Sequence, residues 1–492
     1  MKRNRILLLL ICFSLIISGL VSCADEEDPD YDPGDIPIID SVPEDYNLDG
    51  QQVGIYYAEH IYEMVLGDEE ATDIVYSKIH QRNLTVNARL NCKLNLISAE
   101  NNGWAEYGGN LQQCVHQMDK SFEISTCTNN SIVSQRLYAL FHTMNDASYI
   151  DIEADWWYKD TIMELTPDYY YYRFLYGDIF IGGLTFAGAI YYNKDLYSEY
   201  VDPGNPDALY TYVLNGTWTF EQFDIECARS AIDLGGENNI YAYMLARSGE
   251  PINFFATGCG VEYYTRDSRG MPIITVYNQK SVDFTQKLYN LLYNNKGAFI
   301  LFPKFGPEVD HATDFQDRKA MFSLGSLGAI LSDGMREMED SYGILPYPKW
   351  TPQQEEYINF TNNGSVYVGV TKNVPYDRAM EETSAVIEVM AAEAYRTVKD
   401  AFYEQACKRA YSRDDTSAEM LDIITGRHKT IKSRMTKNFI YEYGNQAGTI
   451  FMTIMAKGAV GNPNFTSEWE GLEESANTQL SNLITDYLKD SN

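Results

Sequence analysis

The sequence predicts an α/β fold, and three observations point to it. Strand-like apolar runs alternate with helical segments from residue 51 to residue 141. The stretch 181–223, IGGLTFAGAIYYNKDLYSEYVDPGNPDALYTYVLNGTWTFEQF, then starts the strand–turn–helix unit again. At 492 residues the chain has room for two or three domains of roughly 150 residues each. A β-α-β-α order implies mainly parallel sheets covered by helices.

Taken in order, Gln51–Ala58 reads as the first strand, followed by a loop with Glu59, His60 and Glu63. Residues 72–90 place Val75, Ile79, Val86 and Leu90 on one face of a helix. Lys93–Ser98 is strand-like, Asn101-Asn102-Gly103 a turn, and Trp104–Met118 a helix. Ser121–Thr126 is the next strand; its polar sequel Cys127-Thr128-Asn129-Asn130 caps a helix over Ser131–Phe141. In such sheets the loops after the strands' carboxyl ends form the binding edge. That makes Tyr57–His60 and Thr126–Asn130 candidates by position.

In the stretch 181–223, Ala187–Tyr192 is an apolar run of strand length. Asn193 is placed to cap the following helix, with Asp195 in its first turn. A loop marked by Pro203, Gly204 and Pro206 leads to Thr219 and Gln222 at capping-box spacing, and a second helix. Upstream, Asp155-Trp156-Trp157-Tyr158 precedes a short helix ending near Leu165. Downstream, helices are predicted at 219–233, 280–295 and 328–339, and strands at Met321–Leu324, Tyr342–Leu345 and Ser365–Val370. Beyond Tyr376 the chain reads as mostly helical, ending in a helix with Leu480, Leu483, Ile484, Tyr487 and Leu488 on one face.

Charge narrows the function. A net charge of −32 repels phosphate backbones and anionic lipid, so nucleic acid is not an expected partner. Tyrosine is abundant, at 39 residues. Its flat face and hydroxyl suit amphipathic ligands such as sugars, and equally suit a core. Apart from Cys12 and Cys23 there are six cysteines, at 92, 114, 127, 227, 259 and 407, enough for three disulfides in fifteen pairings. There is no CxxC pair, and none of the six histidines forms a close metal-binding pair, so neither a metal nor another cofactor is expected.

The N-terminus reads as an address. Met1–Arg5 is basic and Ile6–Val21 uncharged and mainly apolar, which is short for a bilayer span but right for an export signal. Leu20-Val21-Ser22-Cys23 resembles the bacterial lipoprotein signal, which implies acylation of Cys23 and a signal peptide over 1–22. Ala24–Asp45 carries ten acidic residues, no basic ones and four prolines, so 23–45 is expected to be an extended, disordered tether.

Several motifs together resemble the family 1 (carbohydrate-type) extracellular solute-binding proteins of bacterial ABC importers. They are the leader, the opening strand, Tyr191-Tyr192-Asn193-Lys194-Asp195-Leu196, Gly216–Glu221, Met321–Gly325 and Tyr342–Lys349. The order and spacing of these motifs, over most of the mature chain, make the resemblance. It implies the type II periplasmic-binding-protein-like fold: two α/β lobes, each a mainly parallel sheet flanked by helices, with the ligand in the cleft between them. Lobe 1 would comprise 46–160 plus about 361–425, and lobe 2 about 161–360 plus 426–492. The resemblance further implies a monomer on the outer face of the cytoplasmic membrane, lipid-anchored, which binds a carbohydrate and docks on ABC permease subunits. No GxxxxGK[ST] loop is present, so nucleotide hydrolysis belongs to another subunit.

A sugar site needs aromatic platforms and planar polar groups. On position in this framework the candidates are Glu59, His60, Asn129, Trp156, Trp157, Ser326, Asn363 and Trp469, with Asp333, Asn362 and Gly364 beside them, while Trp218 is assigned to packing. Two other readings are open. One is a binding protein for a non-sugar solute. The other is a glycan hydrolase, which needs two carboxylates about 5–10 Å apart; Glu153 and Asp155 are close in sequence, but 70 acidic residues make such pairs common by chance. No GxSxG elbow exists.

Overall fold

Each of two sheets is built from strands that run one way, plus a single strand that runs against them. The structure, a computed structural model, describes residues 40–58, 65–67, 73–99, 104–127, 137–245, 250–300, 311–362, 364–409, 415–458 and 463–489. The first sheet comprises β1 (Gln52–Ala58), β2 (Lys93–Ala99), β3 (Ile124–Cys127) and, returning from far down the chain, Tyr367–Val370. β1 pairs in parallel with β2 and β3, and Tyr367–Val370 runs antiparallel to β3, with Val370 opposite Ile124. α1 (Ile74–Leu90) and α2 (Trp104–His116) are its crossover helices. All four residues of the apolar face predicted for α1 are buried. Asp73 caps it, accepting from the Val75 N–H at 2.8 Å, and Asn91 ends it in the left-handed conformation, φ 44°.

The second sheet holds β4 (Gly188–Asn193), β5 (Tyr241–Leu245), β8 (Ala298–Ile300), β9 (Ala320–Ser326) and β10 (Tyr342–Leu345), in the order β10-β4-β9-β5-β8. β5 is parallel to β8 and β9; β4 is antiparallel to both its neighbours. Between β5 and β8 lies the small hairpin of β6 (Tyr264–Arg266) and β7 (Pro272–Ile274). The expectation of mainly parallel sheets thus holds with one exception per lobe, and the exceptions share a cause. β4 and β12 (Tyr367–Val370) are the strands by which the chain enters each sheet from the other lobe, so each starts at the edge where its neighbours end.

Three segments join the lobes. The outbound chain and the returning chain run side by side, bridged at Leu175–Val368 and Ala187–Thr361. This puts the outbound crossing at 175–187, later than residue 160. The third is β13 (Ser433–Thr436), which pairs in parallel with β11 (Tyr357–Phe360) on the returning chain. A strap is added by the terminal helix Phe465–Lys489. Trp469, near its start, stacks with Tyr277 at 6.2 Å, and Tyr487, near its end, packs on Tyr138 at 5.4 Å beside the first sheet.

The central stretch folds as its sequence predicts. Asn193 Oδ1 accepts from the Leu196 N–H at 2.9 Å and Thr219 Oγ1 from the Gln222 N–H at 3.2 Å. Trp218 is fully buried and its Nε1 donates to the Pro346 carbonyl at 2.8 Å. Other helices differ from expectation. The helix expected over 328–339 is broken at Ser332, whose extended backbone (ψ 146°) separates a 3-10 turn, Leu327–Leu331, from Asp333–Glu337. Of the helix expected over 131–141, the described part is a 3-10 turn, Leu137–Leu140. Of the six cysteines, Cys92, Cys114, Cys227 and Cys259 are free thiols.

Trp218→Ala removes the largest fully buried side chain and leaves the Pro346 carbonyl without its donor. A loss of about 3–5 kcal/mol is expected, read as a lower urea midpoint.

Candidate functional site

Strand direction locates the site. The carboxyl ends of β1, β2 and β3 lie at the edge of the first sheet where β12 begins. Those of β5, β8 and β9 lie at the edge of the second where β4 begins. Both crossings attach at these edges, so both edges face the junction of the lobes. The residues that follow β1, β2, β3, β5 and β8 directly in sequence fall outside the described residues. Glu59, His60 and Asn129 are among them, and Asn363 and Cys23 also fall outside the described residues.

At the junction, the described residues form a polar floor. Asn362 on the return crossing donates its backbone N–H to the Phe186 carbonyl (3.1 Å) on the outbound one. Its Nδ2 donates to Glu250 Oε2 at 3.1 Å, and its Oδ1 accepts from the Gly364 N–H at 2.9 Å. Glu250 opens the helix Glu250–Gly258 directly after the residues that follow β5. Burial pushes its carboxyl up, with the Asn362 amide opposing. Gly364 is required by crowding, because a Cβ there would sit 2.8 Å from the Phe186 ring. A partly exposed ring, an amide and a carboxyl thus meet at one spot, the combination that reads a ring with hydroxyls. Neither Phe186 nor Glu250 was a sequence candidate. Their signal was position alone: Phe186 precedes the Ala187–Tyr192 run, and Glu250 opens a helix after a strand, Tyr241–Leu245, that the sequence pattern did not reveal.

Ser326 ends β9 opposite Gly188, at the same edge. Its carbonyl accepts from the Tyr191 hydroxyl at 2.9 Å, and the residue is partly exposed. Asp333 is exposed and pairs with Arg336. Arg336 Nη1 also reaches Asp73 Oδ2 at 2.7 Å, joining the N-terminus of α1 in the first lobe to the second lobe. Asp73 is 4% exposed and accepts from Gln405 Nε2 as well, at 2.7 Å. Behind this pair, Val75 and Ile79 of α1 share an apolar cluster with Leu184, Leu327, Ile330 and Met335 of the second lobe.

The tryptophans are packing groups in this conformation. Trp156 and Trp157 are 7% and 4% exposed. Trp157 Nε1 donates to Glu388 Oε2 at 2.9 Å, on the helix Ser384–Glu393, and Trp156 packs near Tyr395 at 6.3 Å. Trp469, 4% exposed, is enclosed by the Tyr277 ring.

Glu388 is buried with no cation beside it among the described residues, and burial pushes its carboxyl from 4.5 up to about 8, against the pull of the Trp157 N–H. Asp40 and Asp151 push in the same upward direction. Between these pH values the native state holds a proton that the unfolded chain has released. The stabilisation from this group is therefore full below about 4.5 and is lost as pH rises through about 8. Glu388→Gln, which cannot ionise, should gain on the wild type by about 3–4 kcal/mol between pH 5 and pH 8. Urea denaturation at the two pH values checks this; parallel pH dependence in the two proteins refutes it.

No family model and no curated protein sequence matches the chain. Solved structures do match over nearly its whole length. UgpB from Mycobacterium tuberculosis, in complex with glycerophosphocholine, superposes with a TM-score of 0.56 at 11% identity, covering 87% of this chain and 98% of its own. The ABC transporter associated binding protein from B. animalis subsp. lactis Bl-04, in complex with β-1,6-galactobiose, gives 0.53 at 14% identity, covering 87% and 98%. The ABC substrate-binding protein Lmo0181 from Listeria monocytogenes, in complex with cycloalternan, gives 0.51 at 10% identity, covering 88% and 100%. The last two are binding proteins by name. With two α/β lobes, three connecting segments and strand ends facing the junction, this chain has the two-lobed, periplasmic-binding-protein-like fold of the substrate-binding proteins of ABC importers.

Proposed function

We propose that this protein is the substrate-binding subunit of a bacterial ABC importer, and that it captures a carbohydrate, an oligosaccharide, between its lobes. The observation behind the reading is the junction itself. Two sheets of separate lobes turn their strand ends toward each other across a floor of Phe186, Glu250 and Asn362. A ligand held there touches both lobes only when they are closed, so it shifts the equilibrium toward the closed form. That form is the one a permease would recognise. In this proposal the chain is a monomer, performs no chemistry on its ligand, needs no cofactor, and is held to the outer face of the cytoplasmic membrane by lipid on Cys23. A second reading, a polar non-sugar solute, is favoured by one finding: the match to UgpB, whose ligand is glycerophosphocholine.

A thermal-shift screen separates these readings. A ligand at about a hundred times its Kd stabilises the native state by about 2.7 kcal/mol, which is a Tm rise of several degrees. Oligosaccharides should produce it and be recovered unchanged; a rise with glycerophosphodiesters alone selects the second reading, and cleavage of a glycan refutes both. The Asp73–Arg336 pair predicts a further result. Arg336→Met removes a partner that the nearly buried Asp73 holds only across the lobes. The closed form should lose about 1 kcal/mol, seen as a larger radius of gyration in X-ray scattering without ligand and a roughly fivefold weaker apparent affinity.

A further inference from the structure

Tyrosines 169, 170 and 171 stand out as three successive aromatic residues at the surface, 47%, 61% and 38% exposed. Tyr169 is also held at φ +56°, a conformation that costs a bulky L-residue steric strain. Its surroundings keep it there. The Tyr169 N–H donates to the Thr166 carbonyl at 3.0 Å, and the next two N–H groups donate to Asp168 Oδ1, each at 3.0 Å. Behind the ring sits the Arg266 guanidinium, 4.7 Å from the centroid. Arg266 is fixed by donating to five carbonyls, those of Met163, Glu164, Thr166, Pro167 and Gly270. A strained, exposed ring braced from behind by a fully engaged arginine is a platform presented to something outside.

The ring borders a pocket of about 430 Å³, within the range of small-molecule sites. The other walls include Tyr264 and a row of planar polar groups. Arg434 Nε donates to Glu356 Oε1 at 2.9 Å, and its Nη1 lies 3.6 Å from Glu164 Oε1. Both arginines of the pocket, and Lys437 behind them with its ammonium bound to the Thr361 and Asn362 carbonyls and facing Glu442, are committed to acceptors of the protein, and the chain's net charge of −32 further opposes an anionic ligand. A flat aromatic face beside carboxylates and a guanidinium fits a neutral ring carrying hydroxyls. The pocket lies apart from the floor of the junction, although Ile358 of β11 and Thr436 of β13, on the connecting segments, form one of its walls. Glu250 starts the helix Glu250–Gly258 at the junction, while Thr257, about 10 Å of helix away, and Gly260, just past the helix end, line the pocket.

We infer that this pocket, with Tyr169 as its platform, is a second carbohydrate-binding site, open at the surface and able to hold a sugar ring within a long neutral polysaccharide. The inference does not depend on what binds between the lobes. A surface platform can engage the middle of a polymer, whereas a site enclosed by two closing lobes takes short chains or ends.

Affinity electrophoresis of the whole protein through gels containing soluble starch, arabinoxylan or mixed-linkage β-glucan tests it, with Tyr169→Gly as the variant. Glycine tolerates the left-handed backbone, so the variant relieves the strain while removing the platform. The expected result is retardation of the wild type in at least one gel, a fivefold or greater loss of that retardation in Tyr169→Gly, and a Tm equal to or above that of the wild type. Three results overturn the proposal: wild-type mobility unchanged in all three gels, the variant retarded like the wild type, or loss of retardation together with a fall in Tm, which would make the ring a packing group.

Discussion

A fully buried ammonium holds the crossings in place. Lys437 Nζ donates to the carbonyls of Thr361 (3.0 Å) and Asn362 (2.7 Å) and to Ser365 Oγ, all on the return crossing, and faces Glu442 Oε1 at 3.4 Å. The Tyr176 and Tyr367 rings each lie 5.3 Å from it and 5.3 Å from one another, and the Tyr367 hydroxyl donates to Glu442 at 2.7 Å. Burial disfavours both charges and pulls the lysine down to about 8, while each partner opposes the neutralisation of the other. Such a pair adds little net stability compared with apolar residues of the same volume, but losing one partner is costly because the other is left buried and uncompensated. Its structural consequence is specific. The carbonyls it captures belong to Thr361 and Asn362, so the same ammonium that anchors the hinge also fixes the backbone of the residue that binds Glu250 and Phe186 at the floor of the junction.

Several interactions on one flank restrict how the lobes can part. Val75 and Ile79 pack into an apolar cluster with residues of the second lobe, and Asp73 and Arg336 close its rim. Burying one aliphatic side chain fully is worth about 1.5–3 kcal/mol. Opening that separated α1 from the second lobe would therefore lose several such terms, whereas rotation about the crossings that parts only the Asp73–Arg336 rim and keeps the apolar cluster in contact loses few. The helix Phe465–Lys489 constrains the motion in the same sense, since Trp469 and Tyr487 are anchored on different lobes. A rotation of limited amplitude follows, with the apolar flank as its pivot and the floor of the junction at its base.

What was legible in the sequence was local. The caps at Asn193 and Thr219 depend on residues within one helical turn, and the apolar face of α1 on a 3.6-residue period; each is written in a short window. The two tryptophans show the opposite case. Adjacent indoles at a crossing suggested a surface for stacking, but a helix more than two hundred residues later supplies Glu388, which turns Trp157 inward and satisfies its N–H. Strand pairing between β11 and β13, and the floor made by Phe186, Glu250 and Asn362, are likewise unions of distant segments with no period to announce them. The break at Ser332 came from a competition the apolar pattern does not record, in which an extended serine caps the next helix through its hydroxyl.

The abundance of tyrosine, which left sugar binding and core filling equally open, divides by environment. Within the core many of the hydroxyls go to acceptors of the protein: Tyr107 to the Thr126 carbonyl, Tyr191 to Ser326, Tyr243 to Leu291, Tyr357 to Val213, and Tyr197 to the Glu226 carboxylate. A buried phenol loses water and must find such a partner, and burial pushes these hydroxyls far from ionisation. These residues supply large apolar faces and, with the same side chain, cross-links between segments distant in sequence. Core tyrosine is thus a structural solution for a chain whose lobes are built from discontinuous pieces, and its frequency says little about the ligand. The run 169–171 answers to a different constraint, because its rings face water and one of them is kept there against its own backbone preference.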